Sequence, residues 1–299
     1  MTGTAKFQLP NFEILQLLGR GGMASVWKAR QISLDRMVAV KILSSSFSSS
    51  EEDIDRFSRE ARVAALLKHP GIVEVYDANY ANGLYYYVME YIAGYTFGDL
   101  LRRKGRVSED DVLTIAENVA VALDYAWESY QLIHCDIKPD NIMVDSDGTV
   151  KLTDLGLCHA LKLNRKDDGT SETDEILGTP AYMSPEQIYA DRPLDCRSDI
   201  YELGATLYHL ASGRMLFQGI PDTEVVKCHV GENQAPNILT VVGGGTIRFA
   251  LLLERMLAKD PANRHQNWKQ VIADLKRIRA GANPWHVKLP PHGSSMAWL

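Results

Sequence analysis

Three residues in the stretch LIHCDIKPDN could carry acid–base and charge-stabilising chemistry: Asp136, Lys138 and Asn141. A carboxylate such as Asp136 can accept a proton from a hydroxyl substrate, and Lys138 brings positive charge to a transferring phosphoryl group. Asn141 and the later Asp154 in LTDLGL offer oxygen ligands for Mg²⁺, which is held by few protein groups together with phosphate oxygens. Turn chemistry is the alternative for each Asp or Asn alone, but it explains the set poorly.

Cys135 in the same stretch raises a second hypothesis, a cysteine nucleophile or a metal ligand. Neighbouring side chains of an extended chain point to opposite sides, so His134 could not act as the base for Cys135 within one strand. The sequence nominates no other histidine for that role. The four cysteines form no C-x-x-C pair and no disulfide-like cluster, which suits a reducing cytosol and argues against a structural zinc site.

A glycine-rich turn and a lysine could together hold phosphate. Gly19, Gly21 and Gly22 precede SVWKAR, which continues as a strand, whereas a dinucleotide fingerprint runs from strand to helix. Glycines let backbone N–H groups approach phosphate closely, although a plain hairpin turn needs glycine too. Lys41 ends the apolar strand VAVK and is either a phosphate-binding cation held by Glu60 or a side chain that snorkels at a sheet edge. Glu60 fits a solvated helix face equally well.

Hydrophobic periodicity predicts the strands and the helix that carry the glycine turn, Lys41 and Glu60. Residues 12–45 have the pattern of three strands. Ser50 and the acidic residues after it predict a helix N-cap, followed by the helical period of DIDRFSREARVAALLK. The segments IVEVYDA and LYYYVMEYI are two more strands, joined at the turn signal Asn82-Gly83.

Helical patterns dominate from residue 96 onward. The expected helices cover 108–130, 198–212, 246–258 and 267–280. A β-hairpin that turns at Asp147-Gly148 interrupts them, and it carries the residues near Asp154. We therefore predict a small β-rich part with one helix over residues 1–92, a larger helical part over 93–282, and a flexible tail over 283–299.

Composition narrows the class of protein. The 299 residues are 45% hydrophobic and 23% charged, which fits a folded globular chain. The formal net charge of −6 argues against nucleic acid as the main partner, and an anionic ligand would need a local basic group or a cation. No apolar run is long enough to span a bilayer, and MTGTAKFQLP does not have the pattern of a signal peptide. We expect a cytoplasmic location, with a membrane anchor beyond residue 299 left open.

Several motifs resemble those of the protein kinases, specifically the bacterial eukaryotic-like Ser/Thr kinases. They occur in that family's order over roughly residues 12–280: GRGGMASV, VAVK, HCDIKPDN, DLG, GTPAYMSPE, SDIYELG and DPANR. The resemblance implies an α+β bilobal protein-kinase-like fold, with a small β-rich N-lobe that has one main helix and a larger helical C-lobe. It also implies ATP and Mg²⁺, or Mn²⁺ in its place, and protein substrates with Ser or Thr acceptors, with autophosphorylation. A homodimer through the N-lobe is a further arrangement known among the relatives.

The resemblance implies a role for each residue of the catalytic set. Lys41 would bind the α- and β-phosphates and pair with Glu60, Asp136 would be the catalytic base, and Lys138 would neutralise the γ-phosphate. Thr179 would hydrogen-bond to Asp136 and Lys138. Lys138 and Thr179 are typical of Ser/Thr kinases, not of tyrosine kinases.

The resemblance also implies the metal, structural and nucleotide sites. Asn141 and Asp154 would hold Mg²⁺, Glu186 and Arg264 would form a buried ion pair, and Asp199 would anchor the catalytic-loop backbone. The nucleotide-binding set, in which the Glu90 carbonyl and the Ile92 amide contact adenine and Met89 is the gatekeeper, is Gly19, Gly21, Gly22, Val26, Ala39, Lys41, Met89, Glu90, Ile92 and Met143.

Four positions depart from the family pattern: Ala24, Cys135, Leu155 and Ser184. Cys135 replaces an arginine that, in relatives, pairs with a phosphorylated loop residue. A thiol with a pKa near 8.5 is mostly neutral at pH 7 and cannot make that pair. We therefore hypothesise that activity depends less on loop phosphorylation than in arginine-bearing kinases, although Ser171 and Thr173 are the expected autophosphorylation sites.

Two other functions fit the same motifs. A pseudokinase would use the fold as a nucleotide-binding or scaffolding module without phosphoryl transfer, but Lys41, Asp136, Asn141 and Asp154 are all present, which favours an active enzyme. A small-molecule kinase of similar fold is the weaker alternative, because GTPAYMSPE resembles a peptide-positioning loop.

Overall fold

The computed structural model describes residues 7–154, 179–285, 289 and 292–298. Five antiparallel strands form the first sheet, in the order β1-β2-β3-β5-β4. They are β1 Phe12–Arg20, β2 Ala24–Gln31, β3 Arg36–Leu43, β4 Val75–Ala81 and β5 Leu84–Glu90. Asn82 and Gly83 have φ values of 52° and 79°, the left-handed conformation of the predicted hairpin turn between β4 and β5.

Helix α1 (Glu51–Leu66) lies against β4 and begins at the predicted cap, where the side chain of Ser50 accepts a hydrogen bond from the Asp53 amide at 3.2 Å. Its buried positions are Phe57, Glu60, Ala61 and Ala64, one face of a 3.6-residue period. Glu60 is the only charged residue on that buried face, so the helix presents a carboxylate to the interior of the sheet.

The larger part is built on helices and a second, three-stranded sheet. The helices are α2 Phe97–Lys104, α3 Glu109–Tyr130, α4 Pro185–Tyr189, α5 Cys196–Ser212, α6 Asp222–Val230, α7 Ile238–Val242, α8 Ile247–Met256 and α9 Trp268–Arg279. The second sheet has the order β6-β7-β8 and consists of β6 Tyr95–Thr96, β7 Ile142–Val144 and β8 Val150–Leu152. Gly148 at the predicted turn between β7 and β8 has φ 89°. A parallel bridge between Ile72 and Leu152 joins the two parts of the chain.

Helix α5 is buried along most of its length and forms the centre of the larger core. Gly204 permits this packing, because a Cβ atom there would lie 2.9 Å from the Cβ of Met256 on α8. The same helix buries four polar side chains, Ser198, Asp199, Glu202 and Thr206. Buried polar groups need hydrogen-bond partners. Ser198 donates to Glu186, and the partners of the other three lie in residues 132–141, here called the catalytic stretch.

Residues 293–297 are docked against the larger part, unlike the flexible tail that we expected over residues 283–299. Met296 pairs with Ala235 and Ser294 pairs with Ala258 in isolated β-bridges, and the side chain of Met296 is 1% exposed within the core. The composition of this tail signals disorder, but one apolar side chain and several backbone hydrogen bonds dock it. Among the described residues, no helix combines the length and apolar character needed to cross a bilayer.

Candidate active site

Lys41 on β3 lies at the junction of the two parts of the chain. Its Nζ atom is 2.7 Å from Oε1 of Glu60 and 2.8 Å from Oδ1 of Asp154, and its side chain is only 14% exposed. Tyr87, the cross-strand neighbour of Lys41 on β5, donates its hydroxyl hydrogen to the same Glu60 oxygen at 2.7 Å. The buried ammonium group is therefore held by two carboxylates. Lys41 does not extend to solvent at a sheet edge, which was the alternative interpretation of its position.

These charges shift the pKa values at the junction. Burial alone lowers the pKa of Lys41, but the negative charge of Asp154 and Glu60 outweighs it, and the pKa lies well above its ordinary value. Burial alone raises the pKa of Asp154, but Lys41 outweighs that effect and the pKa lies below its ordinary value. Both groups are therefore ionised at neutral pH.

Asp136, Lys138 and Thr179 form a closed triangle of contacts. Lys138 Nζ is 2.7 Å from Asp136 Oδ2 and 2.8 Å from Thr179 Oγ1. The Thr179 hydroxyl in turn donates to Asp136 Oδ1 at 3.1 Å. The carboxylate is thereby fixed in orientation at both oxygens, beside a cation and a hydroxyl group.

Two buried carboxylates on α5 hold the backbone of the catalytic stretch. Asp199 accepts hydrogen bonds from the amides of His134 at 2.7 Å and Cys135 at 2.8 Å, and Glu202 accepts one from the amide of Ile137 at 2.7 Å. Burial raises the pKa of Asp199 to about 6 and raises that of Glu202 well above its ordinary value. The motifs indicated Asp199 but not Glu202. Glu202 lies three residues after Asp199 on the same face of α5, and this spacing could have indicated it.

Helix α4 is tied to the same stretch by a glutamine that we did not predict. Gln187 Nε2 donates to the carbonyl of Cys135 at 3.2 Å and to Oε1 of Glu202 at 2.6 Å. Ser184, one of the four departures, caps this helix together with the Gln187 side chain. The Thr206 hydroxyl donates to the carbonyl of Ile137 at 2.8 Å.

Cys135 differs from what we expected of it. The residue is disulfide-bonded, whereas Cys196 and Cys228 are free thiols. The expectation of a neutral thiol without a disulfide is therefore wrong for Cys135, because sequence spacing does not show which distant segments meet in the fold. The side chain is 5% exposed and packs with Ile133, and its backbone has φ 60°.

Other residues named from the sequence fall outside the described ranges. They are Leu155 of the departures and Ser171 and Thr173, the expected autophosphorylation sites. Their roles stay predictions.

Asn141 and Asp154 lie in positions suited to a divalent cation. Asn141 donates its amide hydrogens to the carbonyl of Asp136 at 2.8 Å and to Asp136 Oδ2 at 2.9 Å, so its amide oxygen is the atom that remains for a ligand. The amide of Thr153 donates to the carbonyl of Asn141 at 3.0 Å, which brings the next residue, Asp154, close to Asn141. One amide oxygen and one ionised carboxylate are hard donors that fit Mg²⁺.

Within the described ranges, no group of three or more His, Cys, Asp or Glu residues could hold a metal without help. A cation between Asn141 and Asp154 would therefore complete its coordination with water and with oxygens of a bound substrate, as Mg²⁺ does at phosphate sites.

The predicted nucleotide-binding side chains belong to one hydrophobic cluster. Ala39, Met89 and Ile92 are buried in it, and Val26 and Met143 pack against it. These residues come from β2, β3, β5, the connection after β5, and β7, so both parts of the chain contribute. Val26 is the cross-strand partner of Lys41, so this apolar cluster lies beside the lysine, and apolar side chains are what line sites for flat aromatic rings.

The glycine turn lies between β1 and β2, as the strand pattern predicted. The amide of Gly21 donates to the carbonyl of Ala24 at 2.8 Å and closes the turn. A Cβ atom built at Gly19 or Gly22 would meet no atom within 4 Å, so the backbone there faces open space. This geometry leaves room for a ligand to approach the backbone closely.

The connection after β5 is held by contacts that we did not predict. Ala93 donates its amide hydrogen to Asp145 Oδ1 at 3.1 Å, and the Glu90 carboxylate pairs with Lys151 at 2.9 Å. A Cβ atom at Gly94 would lie 1.7 Å from the carbonyl oxygen of Val144, so only glycine fits this approach. Contacts to β7 and β8 therefore hold this segment.

Glu186 and Arg264 form the predicted ion pair with two parallel bonds of 2.6 and 2.8 Å. The two side chains are 4% and 0% exposed. Arg264 also donates to the carbonyls of Ala258, Arg197 and Lys259, at distances of 2.6 to 3.0 Å. Every N–H direction of the guanidinium is therefore used, as a buried charge requires.

Comparison with known proteins agrees with this geometry. Residues 12–274 match the model of the protein kinase domain family. A probable serine/threonine-protein kinase of Clostridium perfringens is 37% identical over 275 residues, which cover 91% of this chain and 39% of that protein. Serine/threonine-protein kinase PrkC of Bacillus subtilis is 35% identical over 265 residues, which cover 89% of this chain and 40% of that protein. This chain thus spans about two fifths of the length of these relatives.

A solved structure has the same fold. The PknI kinase domain of Mycobacterium tuberculosis superimposes with a TM-score of 0.70 at 27% sequence identity, and the match covers 92% of this chain and 98% of that one. The predicted α+β bilobal architecture is confirmed. The chain therefore belongs to the protein kinase domain family and is related to the bacterial eukaryotic-like Ser/Thr kinases.

Proposed function

We propose that this chain transfers the γ-phosphoryl group of ATP to serine and threonine hydroxyls of proteins, its own chain included. The single observation that carries the proposal is the triangle of Asp136, Lys138 and Thr179, in which a carboxylate, a cation and a hydroxyl meet within 3.1 Å. Membership in the family and the names of the relatives support the same activity.

The triangle has a direct chemical interpretation. The acceptor hydroxyl oxygen attacks the γ-phosphorus, its proton passes to Asp136, and the bond to the β–γ bridging oxygen breaks to release ADP. Lys138 stabilises the negative charge on the transferring group. Thr179, the first residue of the segment 179–186 that we call the substrate-side loop, keeps the Asp136 carboxylate oriented towards the acceptor.

Nucleotide binding is assigned to the junction of the two lobes. Lys41, held by Glu60, would contact the α- and β-phosphates, and Asn141 and Asp154 would hold Mg²⁺, or Mn²⁺ in its place. A bound divalent cation neutralises phosphate charge. Adenine would lie in the apolar cluster described above and contact the connection after β5 through the Glu90 carbonyl and the Ile92 amide.

We propose protein substrates, no nucleic-acid partner and a cytoplasmic location for this domain, a location in which the disulfide of Cys135 is an exception to the usual reduced state of cysteines. A homodimer through the N-lobe has support in Leu15, Leu18 and Met37 of the first sheet, whose apolar side chains are 43% to 46% exposed. Sedimentation of wild type and Leu18→Asp at several concentrations tests this arrangement.

The activity is tested by transfer of label from γ-labelled ATP to the chain and to a degenerate Ser/Thr peptide library. Wild type should label both in the presence of Mg²⁺, Asp136→Asn should label neither, and chelation of divalent cations should abolish the signal. Acid hydrolysis should return phosphoserine and phosphothreonine. Equal label in wild type and Asp136→Asn would exclude the proposed activity and favour a pseudokinase.

A further inference from the structure

The segment 293–297, here called the C-terminal strap, is built into the larger lobe. Its backbone exchanges two hydrogen bonds of 2.8 Å with Ala235. It also accepts one from the amide of Lys259 and donates one to the carbonyl of Leu257, each at 2.9 Å. Four backbone bonds to two separate loops define one docked position for the strap.

The strap buries polar as well as apolar side chains. Met296 is 1% exposed and belongs to the main core, while Ser294 and Ser295 are 2% and 0% exposed. The two hydroxyls have different partners. Ser294 Oγ accepts from the amide of Met296 within the strap at 3.2 Å, whereas Ser295 Oγ is 2.6 Å from the hydroxyl of Tyr201.

Tyr201 connects the strap to the loop that follows Thr179. Its hydroxyl is 2.7 Å from Nδ1 of His229, a wholly buried residue of α6. Burial lowers the pKa of His229 to about 4, so the ring is neutral at pH 7. Nε2 of His229 makes no hydrogen bond of normal geometry among the described residues. The backbone of Pro180 and Ala181 nevertheless lies close enough to the ring to raise its pKa, against the larger effect of burial.

A second connection runs from the strap to the other end of the same loop. The strap bonds to Leu257 and Lys259, and the carbonyls of Ala258 and Lys259 accept hydrogen bonds from Arg264. Arg264 then pairs with Glu186. Residues 180–186 are therefore contacted at their first residues through His229 and at their last through Arg264.

We propose that the C-terminal strap positions the substrate-side loop, residues 179–186, for binding of the protein substrate, and that Ser295 acts in this through the Tyr201 hydroxyl. The inference rests on the proposed kinase activity and adds to it a positioning residue about 160 residues away in sequence from Asp136. Nucleotide binding should not depend on the strap, because its hydrogen bonds go to Tyr201 on α5, to the connection after α6, which includes Ala235, and to residues 257–259, and these lie outside the proposed nucleotide site.

The test compares Ser295→Ala, Tyr201→Phe and the double variant with a matched control, Ser294→Ala. The control removes a hydroxyl from the adjacent, equally buried serine but leaves the contact with Tyr201. KM and kcat are measured for ATP and for a peptide selected from the degenerate library. Loss of one buried hydrogen bond should raise peptide KM about three- to tenfold, with ATP KM unchanged and kcat within about twofold.

The double variant should be no worse than Tyr201→Phe, which already removes the contacts of the Tyr201 hydroxyl with both Ser295 and His229, and Ser294→Ala should behave as wild type. Three results would overturn the inference: unchanged peptide KM in Ser295→Ala and Tyr201→Phe, even with a lower melting temperature; equal effects of Ser294→Ala and Ser295→Ala; or a parallel rise of ATP KM. A wild-type chain that transfers no phosphate would instead overturn the proposed activity, which distinguishes the two failures.

Discussion

Lys41 Nζ lies 2.7 Å from Oε1 of Glu60, so a buried ion pair joins strand β3 to helix α1. Replacing Glu60 with Gln removes the negative charge of the side chain but keeps its size and shape. Because Lys41 then loses one of its two carboxylate partners, we expect kcat/KM for ATP to fall about 10- to 100-fold, ~1.4 to 2.7 kcal/mol of transition-state stabilisation. Steady-state transfer assays measure the loss.

Tyr87→Phe is the matched control for this pair. It removes the second donor to Glu60 and leaves the ion pair intact. A loss of kcat/KM as large as that of Glu60→Gln would show that the tyrosine contact, and not the charge, is what matters.

Thr179→Val and Thr179→Ser separate the hydroxyl of the catalytic triangle from its methyl group. The valine variant leaves Asp136 Oδ1 and Lys138 without their shared partner, so we expect peptide transfer to fall about tenfold, ~1.4 kcal/mol. The serine variant keeps the hydroxyl and should stay within about threefold of wild type. If the two variants are equally active, the hydroxyl contributes nothing to orientation.

Glu186→Gln tests the contribution of the buried ion pair to stability. The variant leaves the Arg264 guanidinium buried without its counter-charge, which should lower the free energy of unfolding by about 3 kcal/mol or more. Urea titration gives the value. Glu128→Gln breaks the exposed pair with Lys269 and should move the urea midpoint far less; similar shifts in both variants would contradict this account.

The same pair predicts a pH dependence. Burial alone raises the pKa of Glu186, but the hydrogen bonds and charge of Arg264 outweigh it, and the pKa lies below its ordinary value. The folded state therefore binds this proton less readily than the unfolded state, so the contribution of the pair is complete above the unfolded pKa and is lost as pH falls through the lower, folded one.

Urea unfolding of wild type and Glu186→Gln at a series of pH values checks this effect. The difference in stability between the two proteins should be constant near neutral pH and shrink as the pH falls below the ordinary pKa of glutamate, about 4.3. A difference that is independent of pH would contradict the assigned ionisation.

The motifs predicted those parts of the site that depend on short spacing. Asp136, Lys138 and Asn141 lie within six positions, and the turn at Asn82-Gly83 needs only its own two residues. The contact of Lys41 with Glu60 could be anticipated only through the resemblance, since a solvated helix face explained Glu60 equally well.

The residues that the sequence could not nominate act through tertiary contacts. Glu202 and Gln187 are ordinary residues of two helices until the fold places them against the catalytic stretch. The strap was missed because a tail rich in Pro, Gly and Ser has the composition of a disordered segment, and its docking depends on Met296 and on carbonyls about 40 to 60 residues away. The disulfide at Cys135 was missed for the same reason.

The residue at position 135 also determines how strongly loop phosphorylation should affect the kinase activity. Cys135 is uncharged as a disulfide, as it would be as a neutral thiol, so no cation at this position can pair with a phosphate on Ser171 or Thr173. We therefore expect Ser171→Ala/Thr173→Ala and phosphatase-treated wild type to retain kcat/KM within tenfold of the phosphorylated protein, ~1.4 kcal/mol. Phosphopeptide mapping after incubation with ATP and Mg²⁺ verifies the starting state, and Asp136→Asn shows whether the label is the chain's own. A loss greater than tenfold in either preparation would mean that some other cation reads the phosphate, and the hypothesis drawn from Cys135 would have to be abandoned.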